Sequence, residues 1–467
     1  MKLEYSTFKV QFSRRLGLTA VALLFGGCAF QSPEYDLSIR TPGTWEAASS
    51  GNEGQISTGW VSSFGDSGLK KSVTDALAYN QSLKAAAARL REAGEETIIA
   101  RARQLPSLGA GTRGSLSDGA SIPRSQSYGL NLAASWEPDL WGRLRDLTRA
   151  AEADERAAIE DFRGARLSLA ANAAKAYTNL ASAEQEVDLA KFTLESFQKN
   201  LRVIERNYKA TGEGALDIQF ARTNVSSAQR ALEGSKLDRE IAAGVLEVLQ
   251  GRYPGGQTRG PKDLPSLPSS IPAGVPAGMV ERRPDLAAAR ARLLASAQRA
   301  DATRKNLLPN FSITGASGNT GARFSDLLRT DFLISTIAGN LDQFLYDGGA
   351  READARGALA RNDRLVAAFA QLALEAFREV EATLSADRSL AIQEKFLEEE
   401  VEQAVLAERQ AERNYAEGIN PNILSVLEAQ RRANNARAAI IRLRNQRLQN
   451  RFDLHLALGG DFRTEPK

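Results

Sequence analysis

The chain has 467 residues, with 60 Lys and Arg against 57 Asp and Glu, and a single cysteine and histidine. A net charge of +3 without a clustered basic face gives no nucleic-acid footprint. One cysteine, Cys28, excludes a disulfide framework or a cysteine metal site, and one histidine, His455, excludes a histidine cluster.

The chain opens with Lys2, Lys9, Arg14 and Arg15, followed by LGLTAVALLFGG. A basic head, an apolar centre and small residues form a signal peptide over residues 1–27. Its apolar run is too short for the roughly 20 residues of a membrane helix, and no longer run follows. Gly26 and Gly27 before Cys28 resemble the bacterial lipoprotein cleavage box, although Phe25 replaces the usual aliphatic residue. In that box the cysteine becomes an acylated N-terminus. The competing reading is an ordinary signal peptide with an incidental cysteine.

After an N-terminal segment over 28–80, the chain reads as two repeats, 81–250 and 285–460, with a short tail at 461–467. Seven of its fifteen prolines fall between Pro254 and Pro284, so residues 251–284 form a non-helical linker. Each repeat begins with an Ala- and Arg-rich helical stretch ending in Leu-Pro. Two alternating segments follow, expected as strands near 106–116 and 126–138, then 309–318 and 332–346. In SYGLNLAASWEPD, Tyr128, Leu130, Leu132, Ala134 and Trp136 share one face, while Ser127, Gly129, Asn131, Ala133 and Ser135 share the other. Alternation alone fits a pair of soluble hairpins equally well.

Helical hairpins are expected over 143–250 and 350–458, each broken by glycine, in YKATGEGALDIQFAR and YAEGINPNILSVLEAQ. In the first, Ala173, Leu180, Val187, Leu194, Leu201 and Tyr208 recur every seven residues, beside Ala176, Ala183, Ala190, Phe197 and Ile204. Two apolar positions per heptad make a coiled-coil seam. The second hairpin follows Phe377, Leu384 and Ala391, then shifts to Leu390, Leu397, Ala404 and Ala411. A continuous helix from Arg143 to Tyr208 would reach roughly 100 Å, beyond any small domain. Four strands cannot close a membrane barrel, which needs at least about eight, and lipid tolerates no open edge. Identical chains must then complete it together. Three copies would give about twelve strands, with dimers and tetramers left open by this count.

At this point the chain resembles the outer membrane factors, the TolC/OprM-type channels, and within them the NodT-type lipoprotein branch. IPAGVPAGMVERRPDLAAARARL resembles the family's mid-chain signature, with Glu281, Arg282, Arg283, Pro284 and Asp285 in place. GWVSSFGDSGLKKSVTDALAYNQSLKAAAARLREA resembles its N-terminal region, and FDLHLALGGDF its C-terminal end.

The resemblance implies a mainly α chain with a transmembrane β-barrel: a homotrimer with twelve strands above a coiled-coil helical tunnel. It implies passive efflux of drugs or other small solutes, without catalytic residues or cofactors. The partners implied are a periplasmic adaptor, an RND-type inner-membrane pump and outer membrane lipid. Gly212 and Gly418 would mark the periplasmic tips, Asp217 matches the family's tip aspartate, and Glu428 an acidic residue near the aperture. Plain solvated charge at helix starts is the competing account of both acids. The second tip carries Pro421 between Asn420 and Asn422 and lacks a basic partner for an Asp–Arg latch. Tyr128, Trp136, Trp141, Phe311, Phe324 and Tyr346 are candidates for interface girdles or for contacts where barrel meets tunnel. Two further readings stand beside efflux: a duct for type I protein secretion, and a periplasmic coiled-coil scaffold without a pore.

Overall fold

The computed structural model describes residues 44–47, 59–212, 214–268, 279, 282–329, 331, 333–419 and 422–460. Cys28, Glu281, Asn420, Pro421, the signal peptide and the tail at 461–467 lie outside the described residues.

Helices α1 (Ser67–Tyr79) and α2 (Gln81–Ala102) lead into strands β1 (Ser107–Gly119) and β2 (Ile122–Trp136). The first hairpin is α3 (Arg143–Thr211) and α4 (Ala215–Leu249). Beyond the linker come α5 (Pro284–Lys305), β3 (Asn310–Gly321), β4 (Ile334–Asp342), α6 (Ala350–Ala416) and α7 (Ile423–Ala457). At 69 residues α3 extends about 100 Å. Among the described residues no helix is long and apolar enough to cross a membrane.

The strands form one antiparallel sheet in the order β1-β2-β3-β4, leaving β1 and β4 as its edges. β1 and β2 pair as far as Gly119 and Ile122, further than the alternation predicted, because the Gly/Ser-rich segment joins the ladder. β4 stops at Asp342, short of the expected 346. Beyond it the chain turns into α6, with the Arg351 guanidinium 3.8 Å from the Phe344 ring centroid and Asp347 accepting from the Gly349 and Arg351 amides.

Side-by-side helices continue the sheet's logic. Nearer the sheet the order is α2, α3, α5, α6; further away it is α4, α3, α7, α6. Alanine at the contacts lets the axes approach: Ala150, Ala153 and Ala295 form one buried cluster, and Ala157, Ala288 and Ala291 another. The heptad positions Ala173, Ala176, Leu180, Val187 and Ile204 are buried, whereas Tyr208 at the end of the series is exposed. In α6 the buried position passes from Leu384 to Leu390, and Ala391 is exposed. The margins of this layer stay apolar: Leu237, Ile241, Val245 and Val248 lie exposed on α4, with Ile392 and Phe396 exposed on α6.

The main core lies midway along the helices, where Trp60 and Phe64 pack on Phe452 of α7. His455 stacks on Trp60, with centroids 5.1 Å apart and planes at 17°. It is 2% exposed, and neither ring nitrogen has a hydrogen-bond partner. Burial, with the Arg451 charge adding to it, pushes its pKa down to about 3. A folded pKa below the unfolded value of about 6.5 means the unfolded chain takes up a proton first. Stability should therefore fall by up to about 1.4 kcal/mol per pH unit between roughly 6.5 and 3. His455→Phe should flatten that part of a denaturation-versus-pH profile, and an unchanged slope would refute the assignment.

The Pro-rich linker lies as a strap across the helices. Glu247 accepts from the Gly256, Gln257 and Thr258 amides (2.8–3.0 Å) and from the Thr258 hydroxyl. Further on, Gln185 Nε2 donates to the Lys262 carbonyl, and Arg451 Nη1 to that of Pro268. Arg451 also grips Asp387 of α6 at 2.9 and 3.1 Å.

Candidate functional site

Three places carry the functional geometry: the sheet, a clasp midway along the helices, and the hairpin tips.

The register aligns side chains across all four strands. Leu108 faces Ala134, Ala134 faces Gly315, and Gly315 faces Ile337; Trp136 faces Ile313. Leu108, Ala110, Leu130, Leu132, Trp136, Phe311, Ile313, Ile337 and Leu341 thus share one face. The opposite face carries Ser, Gly, Ala, Thr and Asn, with Arg113, Ile334 and Asp342 among them. Some polar residues on the apolar face are paired: the Ser317 and Ser335 hydroxyls bond each other at 2.8 Å. Asn319 Nδ2 donates to the Leu327 and Arg329 carbonyls. A sheet with one largely apolar face and one small, polar face suits lipid on the first side and water on the other.

The candidate girdle residues separate into two groups. Trp136 Nε1 donates to the Gln104 carbonyl at 3.0 Å and Trp141 Nε1 to Pro309 at 2.6 Å, fixing both indoles where sheet meets helices. Phe324 and Tyr346 are widely exposed, with Phe324 edge-on to Tyr128 at 6.1 Å.

The clasp explains the mid-chain signature. Arg283, 8% exposed, donates to Asp285 (3.0 and 2.7 Å), to Glu379 of α6 (2.8 Å) and to the Ala457 carbonyl at the end of α7 (3.1 Å). Asp285 in turn accepts from the Leu286 amide at the start of α5. Arg283 lies low in exposure yet keeps its charge, because Asp285 and Glu379 outweigh the burial that disfavours it. Pro284 opens α5, where its missing N–H costs nothing. The C-terminal glycine pair meets this motif. Gly459 has φ +70°, and a Cβ there would sit 3.1 Å from the Arg282 carbonyl and the Arg283 nitrogen. Sequence reading missed that the two motifs touch; no spacing in the chain announces it.

At the tips, α3 ends in Gly212 (φ +76°), whose amide donates to the Tyr208 carbonyl, and α6 ends before Gly418 (φ +71°). Asn422 caps α7 by accepting from the Leu424 amide at 3.0 Å. The tips pack on each other through Ile204, Ile218, Ala221, Ile423 and Val426. Asp217 lies in the first turn of α4, close enough to Tyr415 of α6 for its charge to matter. Burial first, then the Asp217 carboxylate, push the Tyr415 hydroxyl upward against a hydrogen bond with Asn207. Sequence reading sought an arginine for Asp217 and overlooked this tyrosine.

Glu428 is on the neighbouring helix with its own partners. Arg431 donates to it at 2.8 and 2.9 Å and Arg432 at 2.7 Å, which holds its carboxyl down at about 2. Above the tips a groove of about 920 Å³ separates α3 from α6 and α7, lined by Phe192, Asn200, Glu412, Tyr415 and Arg437. Gln430, fully buried beside it, donates to Ser196 of α3 and Glu412 of α6.

The chain matches the family model "Outer membrane efflux protein" over residues 73–252 and 276–460. It is 31% identical to outer membrane protein OprJ of Pseudomonas aeruginosa, covering 95% of each chain. It is 27% identical to the pyoverdine export outer membrane protein OpmQ of the same organism, over 97% of this chain and 98% of that one. The solved outer-membrane channel OprN superimposes with a TM-score of 0.83 at 25% identity, covering 92% of this chain and 99% of OprN. A family match across both repeats, on a fold shared with solved channels, places this chain among the outer membrane efflux proteins, the outer membrane channels of tripartite efflux systems.

Proposed function

We propose that three copies close side by side into one duct for drugs or other small solutes. What supports this is the pair of matched open margins. The sheet ends in unpaired β1 and β4, and the helical layer ends in apolar stripes on α4 and α6. Joining margin to unlike margin is a head-to-tail contact, which closes into a ring when its rotation closes, as the barrel requires. Three sheets of four strands give twelve, with the small polar face lining the lumen. A periplasmic adaptor and an RND-type pump would deliver solutes to the tips, where Gly212, Asp217, Gly418 and Glu428 lie near the aperture.

Cys28 is proposed as the acylated N-terminus. Mass spectrometry of the mature protein should find a lipid-modified Cys28; an unmodified start elsewhere would remove the anchor. For the duct, the purified protein in planar bilayers should give discrete channel events. A folded protein without them would favour the pore-free scaffold.

A further inference from the structure

We propose that Arg113 forms a ring of three guanidinium groups in the barrel lumen, drawing anionic solutes towards the exit; this rests on the trimeric duct proposed above. The register carries the argument. On the polar face, residues 107–117, 125–135, 310–320 and 334–342 present Gly, Ser, Thr, Ala and Asn, apart from Arg113, Ile334 and Asp342, so Arg113 is the one cation there. Arg113 pairs with Gly129, which pairs with Thr320, so no bulky side chain stands across from it. Its same-face neighbours along β1 are Gly111 and Ser115. Asp342 faces Asn310, ten residues along β3 from Thr320, and so lies at the helix end of the sheet.

Lipid fixes which way Arg113 points. The apolar face must meet the bilayer, and a charge on it would be strongly destabilising. A charge on the small polar face instead enters the lumen. Twelve strands about 4.8 Å apart, tilted about 40°, put the backbone roughly 12 Å from the axis. An arginine reaching inward brings its charge within about 10 Å of that axis, one Debye length at 0.1 M salt. Each subunit supplies one such cation to the same level, and the neighbouring side chains on that face, Gly111, Ser115, Gly129, Gly318, Thr320 and Ile334, carry no charge to offset it. Solutes bearing carboxylate or phosphate groups would be concentrated there and cations depleted, more strongly as salt is lowered.

The local potential can be read with charged thiol reagents, independently of how tightly the tips are closed. Ser115→Cys places a thiol on the polar face about 7 Å from Arg113. Its reaction rates with an anionic and a cationic methanethiosulfonate are compared in reconstituted protein, after subtracting the rates of the parent chain without the added cysteine. Adding Arg113→Ala should lower the anionic-to-cationic rate ratio about threefold at 0.1 M salt and about fivefold at 0.01 M. Arg113→Lys should restore the ratio, which a purely structural effect would not do. A reactive Ser115→Cys whose ratio ignores Arg113 would overturn the ring and leave the duct standing. An unreactive Ser115→Cys beside a reactive Leu116→Cys would place water on the wrong face and overturn both.

Discussion

Replacing Val426 by glutamate should open the narrow end of the proposed duct. Val426 is 3% exposed, packed with Ile204 and Ile218 from the other hairpin. A carboxylate held there without a partner would cost several kcal/mol. The least disruptive relief is for the α6–α7 tip to move away from the α3–α4 tip and admit water. Such separation widens an aperture formed where three pairs of tips converge. Single-channel conductance should rise severalfold, and cells should become sensitive to large antibiotics that the outer membrane normally excludes. Val426→Ala, losing two methyl groups at a cost of about 1–3 kcal/mol, should leave conductance close to the parent's. A folded Val426→Glu channel with unchanged conductance would show that this cluster does not hold the tips together.

Arg283→Met should be the most damaging single change to assembly. The arginine joins three elements distant in sequence: the start of α5, the middle of α6 and the end of α7. Removing it leaves Asp285 and Glu379 unmatched, and breaking such a pair costs about 3–5 kcal/mol where it is buried. Both acids are nearly half exposed, so solvent screening brings the cost below that range. Gly459→Ala should mimic the effect, since φ +70° and the 3.1 Å approach to the Arg282 carbonyl both oppose a Cβ. The readout is the yield of heat-resistant oligomer in the outer membrane. Normal yield for both variants would strip the clasp of its structural role.

Much of the architecture is written locally. Period two over residues 128–136 specifies a strand and its apolar face, and the heptads from Ala173 specify a long lateral seam. Glu428's partners were within reach of the sequence but went unread: arginines three and four residues later on one helix face are its natural partners. Other features depend on chain distance. Nothing near Arg283 reveals that it will meet Glu379 and the Ala457 carbonyl, and nothing near Asp217 reveals Tyr415. Those contacts exist because two hairpins from separate repeats lie side by side. Periodicity reports which face of a helix is buried, but not against which partner.

The strap has a mechanical consequence. It crosses α3 near Gln185 and α7 near Arg451, while α7 begins at Ile423. The 26 residues from Ile423 to Leu448, roughly seven turns, therefore extend about 38 Å beneath this collar, packed along α3 and α6. Rocking that stretch by about 10° would sweep its end through roughly 7 Å. A small rotation about the strap thus becomes a wide displacement at the tips and only a slight one near the pivot.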